Sequence, residues 1–169
     1  MRWFFFLLLS IIGLDRFTKQ LAILFLRNTG ESITIIPGML SFTYAENRGI
    51  AFGMEFLPPS VLLALTTIIV SGVIFYTLRQ ENPHPLFLAS FGLIAGGGIG
   101  NLIDRFTTGR VVDFIYFDLY RGELFGHWIS LWPIFNIADS AITIGACMLV
   151  LFYSRIFPDS STPGGNSVR

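Results

Sequence analysis

Four apolar runs, Trp3 to Leu26, Ser60 to Leu78, Leu86 to Ile103 and Ile134 to Tyr153, each approach the length of about 20 residues that a helix needs to cross a bilayer. In hydrocarbon every backbone N–H and C=O must find its partner within the protein, so such runs fold as helices or not at all. The second run carries no charge. The first begins after Arg2 like a secretory leader, but it continues past Asp15, Arg16 and Lys19 to Leu26 without a small-residue cleavage site, and it reads as a retained span.

Composition agrees: 53% of the residues are hydrophobic and only 13% are charged, against about 25% in soluble domains. Basic and acidic residues number 11 each, which argues against a nucleic-acid partner or a polybasic lipid-binding patch. The lone cysteine, Cys147, lies in an apolar run and is expected to pack as a small hydrophobe.

An even number of spans puts both termini on one side and the long connections, 27–59 and 104–133, on the other. Basic residues are nearly balanced between the two sides, so charge does not set the orientation. The connections have strand character. Ser32 to Ile36 and Leu40 to Tyr44 flank Pro37-Gly38 as a strand, turn and strand. Val111 to Leu119 is similar, and Trp128 to Leu131 is expected to pair with it across a turn near Gly122 to Gly126. The predicted fold is an all-α membrane bundle of four transmembrane helices with a small sheet outside the membrane. Residues 1–157 form one domain, and 158–169 are expected to be a disordered tail.

Polar residues in or beside these runs carry the functional signal. An aspartate at the centre of a membrane helix costs about 2.5 to 3.5 kcal/mol, and even near a helix end it calls for a partner or a task. Asp139 opens the fourth run, and Asp113 lies in the segment before it. Asn136, Asp139 and Ser140 follow an i, i+3, i+4 spacing, as do Asn101, Asp104 and Arg105 at the end of the third run, so two helix ends aim amides and carboxylates at one spot. Asp104 and Arg105 either neutralise their helix end or support a site there. Asp15 and Lys19 are spaced to pair within the bilayer as a structural ion pair, with the lysine stem long enough to reach toward the same face. Gly92, Gly96 and Gly100 line one helix face and suit close helix packing.

Elimination narrows the chemistry. There is no His-Glu-x-x-His, Gly-x-Ser-x-Gly or Gly-x-x-x-x-Gly-Lys pattern, and His84 and His127 are isolated. Carboxylates remain as acid and base: two held close together share a proton, so that one polarises a carbonyl while the other deprotonates water. Intramembrane charges also mark transporters, but here the polar trail stops partway, because the second run is uncharged. A non-enzymatic scaffold would not need two acids at one helix mouth.

Five blocks sharpen this reading: Asp15-Arg16-Phe17-Thr18-Lys19, Asn47-Arg48-Gly49-Ile50-Ala51-Phe52-Gly53, Gly97-Gly98-Ile99-Gly100-Asn101-Leu102-Ile103-Asp104-Arg105, Val111-Val112-Asp113-Phe114-Ile115 and Phe135-Asn136-Ile137-Ala138-Asp139-Ser140. In this order they resemble the signature blocks of lipoprotein signal peptidase, signal peptidase II. The resemblance implies an aspartic endopeptidase of the bacterial inner membrane, with cytoplasmic termini and a β-cradle-like sheet and active site toward the periplasm. Its substrate would be a diacylglyceryl-modified prolipoprotein, cleaved before the lipidated cysteine without a cofactor or metal. It would work as a monomer, with membrane lipid as its surroundings. The resemblance makes Asp113 and Asp139 the catalytic pair. Asn47, Gly49, Asn101, Arg105 and Asn136 would shape the pocket or contact substrate, and Asp15, Lys19 and Asp104 would support it. Asp118 and Glu123 belong to no block. The stretch between Asp113 and Asp139 is longer than is typical of the family, with the surplus in Asp118 to Trp132, expected to be a surface hairpin with Trp128 and Trp132 at the membrane interface.

Overall fold

The computed structural model describes residues 1–49, 57–118, 121–124, 127–130 and 134–158. Helix α1, Arg2–Ala22, continues into a π-helical turn, Ile23–Arg27. A hairpin follows, made of β1, Ile33–Ile36, and β2, Leu40–Asn47, with Gly38 in the left-handed conformation (φ 70°) that its turn requires. Helices α2, Pro59–Leu78, and α3, Pro85–Thr108, both start on proline, whose fixed φ suits a first helical turn. The His84 side chain caps α3 by accepting the Leu86 N–H. Gly109 closes α3 in the left-handed region (φ 74°), and the β-branched pair Val111-Val112 then opens β3, Val111–Phe117.

Strands β1, β2 and β3 form one antiparallel sheet in that order. The Trp128 segment does not join it. Strand β5, His127–Ser130, pairs instead with β4, Arg121–Leu124, as a separate hairpin within the longer stretch. The place beside β3 goes to Phe135, which exchanges backbone hydrogen bonds with Ile115 at 2.8 and 3.0 Å. That bridge delays the next helix. Helix α4, Ile137–Leu151, starts three residues beyond the beginning of its apolar run, and the short α5, Tyr153–Ile156, follows it.

Helix α3 is the central one, packed against α1, α2 and α4. Gly92 and Gly96 lie so close to α1 that a Cβ would meet the carbonyls of Phe4 and Leu8 at 3.0 and 2.9 Å, which bears out their packing role. Gly97 lies against the Ala138 carbonyl of α4, closer than any Cβ could fit. Helix α3 also runs one turn beyond the predicted end of its span, so Asp104 and Arg105 lie in its closing turns. Both find partners from other elements there, and the chain has no need to leave the helix to satisfy them.

The outer surfaces are apolar. Phe6, Leu9, Phe17, Ile68, Ile69 and Leu151 are all more than half exposed, as lipid-facing residues would be. Cys147 is exposed as well: the buried stripe of α4 runs through Ala138, Ala141 and Gly145, leaving Cys147 on the outer apolar face. Among the described residues, α2 and α3 are the two helices long and apolar enough by themselves to cross a membrane. The charges that lower the hydropathy of α1 are largely turned inward, with Asp15 and Lys19 fully buried. The expected tail, from 159 onward, and the position of Trp132 lie outside the described residues.

Candidate active site

The site forms where the C-terminal half of α1, the end of α3, the start of α4 and the β2–β3 ribbon converge. Asn136 is its hinge. As N-cap of α4 its side-chain oxygen accepts the Asp139 N–H at 2.9 Å, while Asp139 Oδ2 accepts the Asn136 N–H at 3.3 Å, a reciprocal capping box. The Asn136 amide nitrogen also donates to Asp113 Oδ1 at 2.7 Å. One residue therefore holds both acids. Asp113 reaches this point from β3, its second oxygen accepting from Asn47 Nδ2 at 3.2 Å.

A second amide supports the first. Asn101 Nδ2 donates to Asp139 Oδ1 at 2.7 Å, and Asn101 Oδ1 accepts from Asn136 Nδ2 at 3.2 Å and from Lys19 Nζ at 3.0 Å. Lys19 completes its three donors with Asp15 and Asp104, each at 2.8 Å. Asp104 is also paired with Arg16 and accepts the Val112 N–H at 3.2 Å, which ties α3 to the strand that carries Asp113. Asp15 accepts the Ala138 N–H at 3.1 Å, satisfying a free N–H in the first turn of α4. The Asp15–Lys19 pair is thus structural, as expected. It is also one bond removed from the amide that holds Asp139.

Gly49 and Arg105 close another side. The Gly49 N–H donates to Asn47 Oδ1 at 2.9 Å, and the Gly49 carbonyl accepts from Arg105 at 3.3 Å. All ten residues selected from the sequence therefore join one connected network. Sequence reasoning gave no role to Arg16, although it stands between Asp15 and Lys19 in the first block, where a cation next to an intramembrane acid was the available signal.

Burial is severe, with Asp15, Lys19 and Asn136 fully enclosed and Asp113 only 3% exposed. Burial, and then the charge of Asp139, push the Asp113 carboxyl up to about 7, against the opposing pull of Asn47, Asn136 and Lys19. Asp113 is therefore poised to carry a proton near neutrality beside a second carboxylate. An apolar-surfaced helical bundle holding two carboxylates through shared amides at one end has the equipment of a membrane hydrolase working by acid–base chemistry.

Comparison with known proteins identifies the family. Residues 7–155 match the family described as Signal peptidase (SPase) II. The chain is similar to the lipoprotein signal peptidase of Chlorobium phaeovibrioides (strain DSM 265 / 1930), 85% identical over 99% of both chains. It is also similar to that of Symbiobacterium thermophilum (strain DSM 24528 / JCM 14929 / IAM 14863 / T), 38% identical over 86% of this chain and 91% of the relative. Its fold resembles a bacterial membrane enzyme solved by the in meso method at 2.3 Å resolution, with TM-score 0.71 and 28% identity over 94% of this chain and 92% of the other. The chain belongs to the signal peptidase II family, and it is a membrane protease of lipoprotein processing.

Proposed function

We propose that this protein is an aspartic endopeptidase that cleaves diacylglyceryl-modified prolipoproteins immediately before the lipidated cysteine, with Asp113 and Asp139 as its catalytic pair. It crosses the bacterial inner membrane four times as a monomer, with both termini cytoplasmic and the pair near the periplasmic surface. The observation that carries this reading is the joint hold of Asn136 on both acids, with Asp113 shifted to about 7. An apolar groove between α2 and α3, lined by Leu63, Thr67, Ile68, Leu102, Ile103 and Phe106, suits an apolar signal-peptide segment lying against the bundle.

In the reaction, protonated Asp113 transfers its proton to the scissile carbonyl oxygen while the Asp139 carboxylate takes a proton from water. The hydroxide equivalent adds to the carbonyl carbon, giving a tetrahedral adduct. When the C–N bond breaks, Asp139 returns the proton to the leaving cysteine nitrogen, and Asp113 recovers its own from the adduct hydroxyl. Asn101 and Asn136 keep the carboxylates oriented, and Arg105 and Asn47 fix Gly49 beside the pair.

Purified protein should process a diacylglyceryl-modified precursor and leave an unmodified control intact. Asp113→Asn and Asp139→Asn should each reduce processing to background in folded protein, and full activity in either would refute the assignment of the pair.

A further inference from the structure

On the face of the β2–β3 ribbon opposite Asn47, one carboxylate gathers side chains from three places. Glu46 Oε1 accepts the Tyr44 hydroxyl at 2.8 Å and lies 3.8 Å from Arg27 Nη2, at the π-helical end of α1. Glu46 Oε2 is ion-paired with Arg110, the residue after the left-handed Gly109 and just before β3. Arg27 also lies over the Tyr44 ring, 5.9 Å from its centre. Tyr44 and Arg110 hold the Glu46 carboxyl below its ordinary value, and burial and Glu46 push the Tyr44 hydroxyl up to about 12. The carboxylate stays charged and the phenol stays a donor across the neutral range.

The register explains why this matters to the site. Ala45 pairs with Asp113, Glu46 with Val112 and Asn47 with Val111. Side chains alternate between faces along a strand, so Asn47 and Asp113 share one face while Glu46 and Arg110 share the other. The ladder shifts register between Phe42 and Ala45, so upstream pairing does not carry a regular alignment through to Asn47. Alignment at the end of β2 has to be fixed locally, and the Glu46 contacts are placed to do it.

We propose that Glu46 is a positioning residue for the peptidase reaction: clamped by Arg110 and Arg27, it fixes the end of β2 against β3 and so sets the Asn47 amide on Asp113. This inference rests on the reading of Asp113 and Asp139 as the catalytic pair. The other groups facing Asp113 are Asp139 and Asn136 from the start of α4, Lys19 from α1 and Arg105 from α3. None of them bonds to Glu46 among the described contacts, whereas Asn47, the next residue on β2, bonds Asp113 directly.

The test compares wild type, Glu46→Ala, Glu46→Gln, Asn47→Ala and the Glu46→Ala/Asn47→Ala double variant on the diacylglyceryl-modified precursor across pH. Glu46→Ala should lower kcat about five- to tenfold with KM changed less than about twofold, the signature of an interaction that acts on the chemical step. Weaker donation from Asn47 leaves Asp113 holding its proton longer, so the alkaline limb should move up by about half a pH unit. Glu46→Gln, which keeps an acceptor for Tyr44 and preserves the fold if alanine does not, should shift the limb in the same direction. The double variant should be no worse than Asn47→Ala alone, because both changes act on one contact. Multiplicative losses, or a lowered melting midpoint with kcat and pH profile unchanged, would overturn the clamp. An active Asp113→Asn would overturn the underlying catalytic reading and the clamp with it.

Discussion

Asp113 is the residue whose environment has the clearest kinetic consequence. Its carboxyl is raised to about 7, so Asp113 holds a proton below that value and loses it above. In the proposed mechanism the scissile carbonyl then has no acid to polarise it, and kcat/KM should fall as pH rises through about 7; a rate that kept climbing to pH 9 would count against Asp113 as the donor. Asp118→Asn should keep most activity in the same assay, because Asp118 belongs to none of the five sequence blocks that carry the site. The acids were legible in the sequence because a carboxylate beside an apolar run is costly wherever it lacks a partner. Their connections were not. That Lys19 meets Asp104 and Asn101 as well as Asp15 depends on how α1 packs on α3, which helical spacing within one run does not encode.

Helices and hairpins differ in how far local pattern reaches. The β1–β2 turn at Pro37-Gly38 and the glycine face of α3 followed from adjacent residues and came out as expected. The pairing of the Trp128 segment did not, since competition for the edge of β3 was won by Phe135, a residue that the apolar pattern had assigned to a helix. The α3–α4 contact permits a sharp comparison. Gly97→Ala drives a methyl into the Ala138 carbonyl and should cost about 1 to 3 kcal/mol, whereas Gly72→Ala on α2 meets nothing within 4 Å and should add a few tenths up to about 1 kcal/mol through helix propensity. Thermal melting in detergent would read both. Equal midpoints for the two variants would mean that α3 and α4 are not held this closely.

For the molecule as a whole, the proposed membrane placement puts the exposed Cys147 of α4 in contact with lipid. In intact membranes it should resist a water-soluble maleimide and become reactive once the protein is denatured in detergent; rapid labelling in native membranes would show that this stretch of α4 faces water. The larger consequence comes from the capping box at Asn136. Both acids are held through a residue that takes up its position only when α4 has formed against α3 and β3, with Lys19 of α1 bracing Asn101 behind it. A chain still emerging during synthesis, with α1 to α3 in place and α4 yet to follow, already contains Asp113 but no assembled means of cutting a peptide. On the proposed assignment of the pair, the ability to cut a peptide is a property of the completed bundle, because Asn136 and Asp139 both arrive with α4.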